Sequence, residues 1–454
     1  MYTCDPENLK KGVPFDIVKR FIIRHQKDIA RLEKLRRYYI GEHEILNRKK
    51  DDSVLSNNRV VCNHAKYITD MATGYMVGNP VSYNGEGIKD LQDWYQKADV
   101  ATQDMDLGKD ASIYGRAFEL AYMSSDNVPV CKLANLCPLT TFMVYDDTVE
   151  HKELFAVYYF PVFGNDGKSE GYKCSVYDDK FEYQYLLTTD FECSKEQKSV
   201  EHSFGMVPIT EIYNNEECQS DFEPVLSLID AYNILQSERI NDKEQFVDAI
   251  LLLINASLGD SPEEESQSLN ALKKQRALNL PENSDARWLT RTFDETSVEI
   301  LRKSIEQDIH KFSNVPCMTD ENFVGNSSGI AMRYKLLGFE QITRIKERYF
   351  SEGLKRRMRL FLNIMNTTGK QTFDPDKVEI TFTRNLPVNE TEIASMVTQL
   401  SGQVPASILL SQLPFVKDSE KAIEELNREK DDAVKRQQLN FGYTSPEADN
   451  EQKE

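Results

Sequence analysis

One stretch, residues 316–369, limits the possible folds of this chain more than any other. It opens as a polar, glycine-bearing loop from Cys317 to Gly329, then becomes a helical pattern from Ile330 to Met365. Apolar residues recur at Tyr334, Leu337, Ile342, Ile345, Tyr349, Leu354, Met358, Phe361 and Met365, the three-to-four spacing of one buried helix face. Ser327 and Ser328 are N-cap residue types, and Gly369 is a stop. Gly338 and Gly353 lie inside the run. Each costs about 1 kcal/mol against alanine in a helix, so each marks a bend or a close contact. The run is also basic. Arg333, Lys335, Arg344, Lys346, Arg348, Lys355, Arg356, Arg357 and Arg359 are set against only Glu340, Glu347 and Glu352, in a chain of formal charge −19. Such a face meets either DNA phosphates or acidic neighbours.

At 454 residues the chain exceeds what a single core organises, so two or more structural units are expected. No apolar run reaches the ~18–20 residues of a membrane helix, and the N-terminus lacks an apolar signal core, so neither a membrane anchor nor export is expected. The eight cysteines form no CxxC pair, which reads as reduced thiols in a reducing compartment and predicts no zinc centre. The acidic balance argues against coating nucleic acid by general attraction.

In chain order, a helix is expected over 15–49, bent or ended at Gly41, and a second over about 63–76. A helical pair follows, at about 87–98 and 103–113. Residues 114–213 read as β-rich, with strands near 117–123, 141–145, 154–163, 172–177, 181–187 and 208–212 separated by Gly/Asn/Asp turns. This is an α+β pattern. A long helix is predicted from Glu223 to Ala256. Its last turns, Ile250, Leu251, Leu252, Leu253 and Ile254, are apolar all round, so neighbouring subunits are expected to cover them. Residues 257–294 break the helical pattern. They carry an acidic cluster (Glu263, Glu264, Glu265), a basic one (Lys273, Lys274, Arg276) and a short strand near 286–290. A helix returns over 295–312, a strand is expected at 377–383, and helices at 389–402 and 418–438.

Motifs for catalysis fail on spacing or partners. Gly325-Asn326-Ser327-Ser328-Gly329 has the nucleophile-elbow pattern, but no histidine follows the serine, as that triad order requires. Gly164 to Ser169 ends in Gly-Lys-Ser with two residues, not four, between the glycines, and reads as a hairpin turn. Asp146-Asp147 and Asp178-Asp179 sit in turn contexts. His64 reads as a helical surface histidine. No cofactor, no metal and no enzymatic activity are expected.

Several segments together resemble the portal (connector) proteins of tailed double-stranded-DNA bacteriophages, of the type found in siphophages of Gram-positive hosts. They are Tyr38 to Gly41, Asn57 to Asn63, Gly74 to Pro80, Tyr114 to Ala117, Val144 to Asp147, Gly205 to Ile209, Ile229 to Asn233, Ser237-Glu238, Asn241-Asp242 and Gly325 to Gly338. They cover most of residues 30–370 in order and spacing. The resemblance implies a mainly helical α+β portal fold, assembled as a ring of twelve or thirteen subunits. It assigns a wing (1–221), a stem helix (222–256), a clip (257–294), a second stem helix (295–315), a tunnel loop (316–329), a long bent helix and wing strand (330–388), a crown (389–438) and a disordered tail (439–454). It implies DNA contact at Asp320, Asn322, Gly325, Asn326, Ser327, Ser328 and Gly329, with basic support from Arg333, Lys335, Arg344 and Lys346 and a bend at Gly338. The clip charges would dock partners, and 250–254 would pack between subunits. Implied partners are double-stranded DNA, the terminase large subunit, a head-completion or adaptor protein, and the major capsid and scaffolding proteins. The implied location is the portal vertex of the virion, after assembly in the bacterial cytoplasm. The alternatives are a DNA-processing packaging enzyme (terminase or nuclease) and a scaffolding adaptor that forms no ring.

Overall fold

A computed structural model describes residues 1–10, 12–49, 56–125, 129–165, 167–246, 250–257, 261–275, 283–289, 295–318, 334–367, 369, 373–384 and 390–410, with short pieces between 416 and 434. The chain divides into two units. The larger comprises residues 1–324 and 335–385, the smaller 325–334 and 386–454.

Two apolar cores of the larger unit position the site. In the first, helix α1 (Phe15–Ile40) lies on a six-stranded sheet built from β1 (Tyr2–Cys4), β5 (Thr141–Asp146), β6 (Glu153–Phe163), β7 (Ser169–Tyr177), β8 (Phe181–Leu187) and β9 (Cys193–Glu201), in that order. The β5–β9 pairings are antiparallel, those from β5 to β8 as the turn residues predict; β9 was not expected, and β1 adds to the edge of β5 in parallel. Val18, Phe21 and Ile22 of α1 recur at helical spacing and pack on Phe142, Phe155, Val157 and Val176. Gly41 ends α1 because φ there is 91°, a left-handed turn that lets the Glu42 N–H reach back to the Arg37 carbonyl.

The second core surrounds the long helix α8 (Leu337–Thr367). Leu354, Met358, Phe361 and Met365 are fully buried among α3 (Lys89–Lys97), α4 (Val100–Tyr114) and the sheet of β10 (Ile209–Tyr213), β3 (Arg116–Met123) and β4 (Cys131–Leu136). Burial of each such side chain contributes about 1.5–3 kcal/mol before entropy. Gly353 is the close contact expected: a Cβ there would lie 2.5 Å from Ile212 Cγ1 of β10. A two-stranded ribbon of β2 (Ser82–Asn84) and β13 (Glu379–Thr381) brings the returning chain back to this core.

Helices α5 (Leu226–Phe246) and α7 (Glu295–Ser313) pack together and flank β11 (Ile250–Ile254), α6 (Pro262–Gln275) and β12 (Asp285–Leu289). One expectation is corrected here. Residues 250–254 do not continue the helix. They form a strand paired antiparallel with β12, from Ile250 opposite Leu289 to Ile254 opposite Asp285. A five-residue apolar run fits a strand as well as a helix end, and a distant strand partner decided between them. Leu252 and Ile254 are exposed at 41% and 40%. The acidic triplet Glu263, Glu264 and Glu265 opens α6 and is exposed, and Lys273 and Lys274 lie in its last turn. In the smaller unit the described elements are α9 (Glu390–Leu400) and α10 (Ala406–Leu410), which contact each other. Among the described residues no helix is long and apolar enough to cross a membrane.

Candidate functional site

Three features lie along α5, α7 and the foot of the polar loop. The first is a latch along α5. Asn233, Ser237 and Asn241 are spaced four apart and wholly buried. They accept the backbone N–H groups of Cys62, Val60 and Asn58, respectively, at 2.8, 3.0 and 2.8 Å. The spacing has a physical cause. Four helix residues rise ~6.0 Å and two extended residues ~6.6 Å, so every second amide of 58–62 meets one turn of α5. Asn233 also donates Nδ2–H to Nδ1 of His43, whose Nε2–H then donates to the Tyr38 carbonyl at 3.0 Å. Tyr38 donates to Asp230. The sequence segments singled out above therefore meet in space.

The second feature is the charge lattice between α5 and α7. Arg239 bridges Glu295 and Glu299. Arg302 holds Glu299 at 2.8 Å, Glu306 at 2.7 Å and the Tyr232 hydroxyl at 3.0 Å. Hydrogen bonding from Arg302 lowers the Glu299 carboxyl to about 2.

The third feature is the foot of the loop. The Tyr67 hydroxyl donates to the Pro316 carbonyl at 3.1 Å and accepts the Met318 N–H at 2.9 Å. His310 Nδ1 lies 2.9 Å from the Val315 carbonyl. His310 packs edge-on against the rings of His64 and Tyr67, and His64 against that of Tyr232. His64 is half-buried rather than on the surface, and burial lowers its pKa to about 4. Ligand atoms of Glu306, His310 and Cys317 lie within 4.8 Å of one another. The four-residue spacing of Glu306 and His310 was visible in the sequence; the arrival of Cys317 beside them was not.

The basic residues of α8 part company. Lys346 is 5% exposed and its Nζ holds Asp221 at 2.5 Å, so it faces inward. Arg356 donates to the carbonyls of Val207 and Ile209 and to Glu153. Arg357, fully buried, grips Glu119 through Nε and Nη2 at 2.7 and 2.8 Å and lies 2.7 Å from Asp104 through Nη1. These cations serve acidic neighbours inside the chain. Arg344 is exposed beside Glu340, and Lys335 is exposed. An open groove runs between Arg344, Arg348, Lys355, Ile380 and Phe382. The chain turns at Leu336, between the short helical piece at Tyr334-Lys335 and the start of α8, with Gly338 in the first turn after the break. Asp320, Asn322, Gly325, Asn326, Ser327, Ser328, Gly329, Arg333 and Arg276 lie outside the described residues.

Residues 18–436 match the family described as phage portal protein, SPP1 Gp6-like. The chain belongs to that family. The portal protein of Bacillus phage SPP1 is 24% identical over 442 residues, covering 94% of this chain and 84% of the relative. That of Clostridium phage phiCD119 is 25% identical over 433 residues, covering 87% and 92%. Similar solved structures include the neck of an empty GTA particle, at TM-score 0.43 and 13% identity over 79% of this chain and 88% of that one. Another is the virion of a native gene transfer agent particle, at 0.44 and 13% over 85% and 94%. Portal proteins are structural, non-enzymatic components of the capsid, found at the portal vertex of the virion, and they form ring oligomers. The helix-and-sheet architecture described above is thus an α+β portal fold.

Proposed function

We propose that this portal protein closes into a ring of twelve or thirteen copies and conducts double-stranded DNA into and out of the capsid. The family match across residues 18–436, which takes in α5, α7, α8 and the intervening loop, carries the reading. In this assignment residues 1–221 form the wing, α5 and α7 the stem, 257–294 the clip, 316–329 the tunnel loop and 389–438 the crown. The β11–β12 hairpin then belongs to the stem–clip junction, where exposed Leu252 and Ile254 meet an adjacent subunit. The charged helix α6 of the clip docks the terminase large subunit and later the head-completion protein, and the outer wing meets the major capsid and scaffolding proteins. Assembly takes place in the bacterial cytoplasm.

The charge supports a conduit rather than a clamp. A ring of twelve chains at −19 carries about 230 net negative charges, which repel DNA and let it slide. Contact with DNA falls to Asp320, Asn322, Gly325, Asn326, Ser327, Ser328 and Gly329, to Arg333, and to the exposed cations Lys335 and Arg344. Lys346 drops out of that set because Asp221 holds it. Deleting residues 320–328 tests the assignment. Rings should still form by negative-stain imaging, while packaged DNA per capsid falls severalfold. Normal packaging with the deleted ring refutes it.

A further inference from the structure

We infer that Glu306, His310 and Cys317 form a binding site for a divalent transition metal, zinc above all, that fastens the end of α7 to the foot of the loop. The inference is independent of the conduit reading and holds or falls on this chain alone. Glu306 and His310 are four apart on α7 and so share one face. Cys317 reaches them because the chain turns back after α7: Asn314 adopts φ 57°, and buried Val315 follows. The Tyr67 hydroxyl grips the chain on both sides of Cys317, at the Pro316 carbonyl and the Met318 amide. Cys317 is thus held in place by backbone contacts, before any ligand arrives.

The histidine is held in a tautomer that suits ligation. A carbonyl can only accept, so the 2.9 Å contact with Val315 requires the proton on Nδ1. In the neutral ring the lone pair is then on Nε2. A ligating histidine that donates its other N–H to a backbone carbonyl is the common outer-shell arrangement of metal sites. Glu306 has an outer partner as well: Arg302 donates to its Oε2 and leaves Oε1 for a cation. Ligands on one tetrahedral zinc at ~2.0–2.3 Å sit about 3.5 Å apart. The three atoms here, within 4.8 Å, need only small side-chain rotations to reach that spacing. One thiolate, one imidazole and one carboxylate suit zinc, or cobalt as its reporter, far better than magnesium or calcium. The fourth position is left for water. Binding forms bonds from the ion to sulfur, nitrogen and oxygen, and releases the Cys317 thiol proton and all but one of the ion's own waters to solvent; the oxidation state of the ion does not change.

The full-length chain, stripped with chelator and kept reduced, is titrated with Co²⁺ and then Zn²⁺. The expected result is one cobalt per chain, with a thiolate-to-cobalt charge-transfer band and intense tetrahedral d–d bands that zinc abolishes. Cys317→Ser should erase the charge-transfer band and weaken zinc binding at least tenfold, and His310→Gln and Glu306→Gln should weaken it similarly. Two controls separate this site from other thiols. Cys62→Ser removes the thiol that senses the Glu306 charge, and Cys193→Ser removes an exposed one. Both should keep the band. Hydrogen exchange adds a second readout, because zinc should slow exchange of the Met318 amide in the parent chain but not in Cys317→Ser. Absence of stoichiometric binding, or a band lost in Cys62→Ser and kept in Cys317→Ser, overturns the proposal.

Discussion

Replacing Arg357 by Met tests whether the long helix is held by buried charge. The guanidinium is fully buried, with Glu119 at 1% and Asp104 at 2% exposure. Burial raises both carboxyls, and the cation between them opposes that shift; the two carboxylates in turn hold Arg357 protonated. Removing the cation leaves two carboxyls with no counter-charge. Loss of one partner from a buried pair costs about 3–5 kcal/mol, a large part of the ~5–15 kcal/mol that stabilises a domain. The variant should also respond to pH in a defined direction. Its carboxyls stay buried only by binding protons, so their folded pKa values rise above the unfolded ones. The stability is then present below the unfolded carboxyl range near ~4 and is lost as pH rises, by up to ~1.4 kcal/mol per unit for each group. The gap to the parent should therefore shrink from pH 7 to pH 5. Urea unfolding of the monomeric chain, followed by the fluorescence of buried Trp94 in a Trp288→Phe background, measures it. The triple variant Arg357→Met, Asp104→Asn, Glu119→Gln should recover most of the loss. A single variant within ~1 kcal/mol of the parent at pH 7, or a gap that pH does not change, refutes the reasoning.

Lys346→Met should cost about 3 kcal/mol in the same assay, because Asp221 is left buried without its cation; no change in midpoint would mean that the pair is not desolvated. Gly353→Ala should destabilise by ~1–3 kcal/mol through overlap with Ile212, and by clearly less in an Ile212→Ala background. Equal costs in both backgrounds would exclude the overlap. Burial holds His25 at about 4, against the opposing pull of the Pro138 carbonyl and, less, of Asp28, whereas unfolded histidine titrates near ~6.5. Its folded pKa is depressed, so the stability it confers is complete above ~6.5 and lost as pH falls toward 4, by up to ~3 kcal/mol. His25→Phe should flatten the melting temperature across that window; an unaltered slope would assign it to other groups.

Much of the fold was legible wherever local pattern decides. Alternation and Gly/Asn/Asp turns marked β5 to β8, and the Gly164–Ser169 segment is the hairpin turn expected. Gly41 and Gly353 did what their positions required. Strands whose identity depends on a partner were not legible. Tyr2–Cys4 is too short to show a period, and Cys193–Glu201 is a charged edge strand with the composition of a loop. Ile250–Ile254 looked helical because the deciding partner, Asp285–Leu289, lies past an intervening helix. The same limit governs the site. Whether the row of cations on α8 meets phosphates or acids stayed open in the sequence because the acids that neutralise Lys346, Arg356 and Arg357 lie more than a hundred residues upstream. The latch residues Asn233, Ser237 and Asn241 carried a visible four-residue spacing, but only the structure supplies the extended segment they bind.

The clasp between Arg357 and Glu119 spans 238 residues of sequence. At ribosomal speeds of ~5–20 residues per second, the nascent chain waits on the order of ten to fifty seconds between making the acid and making the base. Throughout that interval the trough formed by α3, α4 and β3 lacks the helix that covers it, and its apolar lining stays uncovered. Closure of this core therefore waits on a segment made late in the chain. The helix that completes the hydrophobic interior emerges late, and until then the half-made molecule exposes apolar surface prone to association.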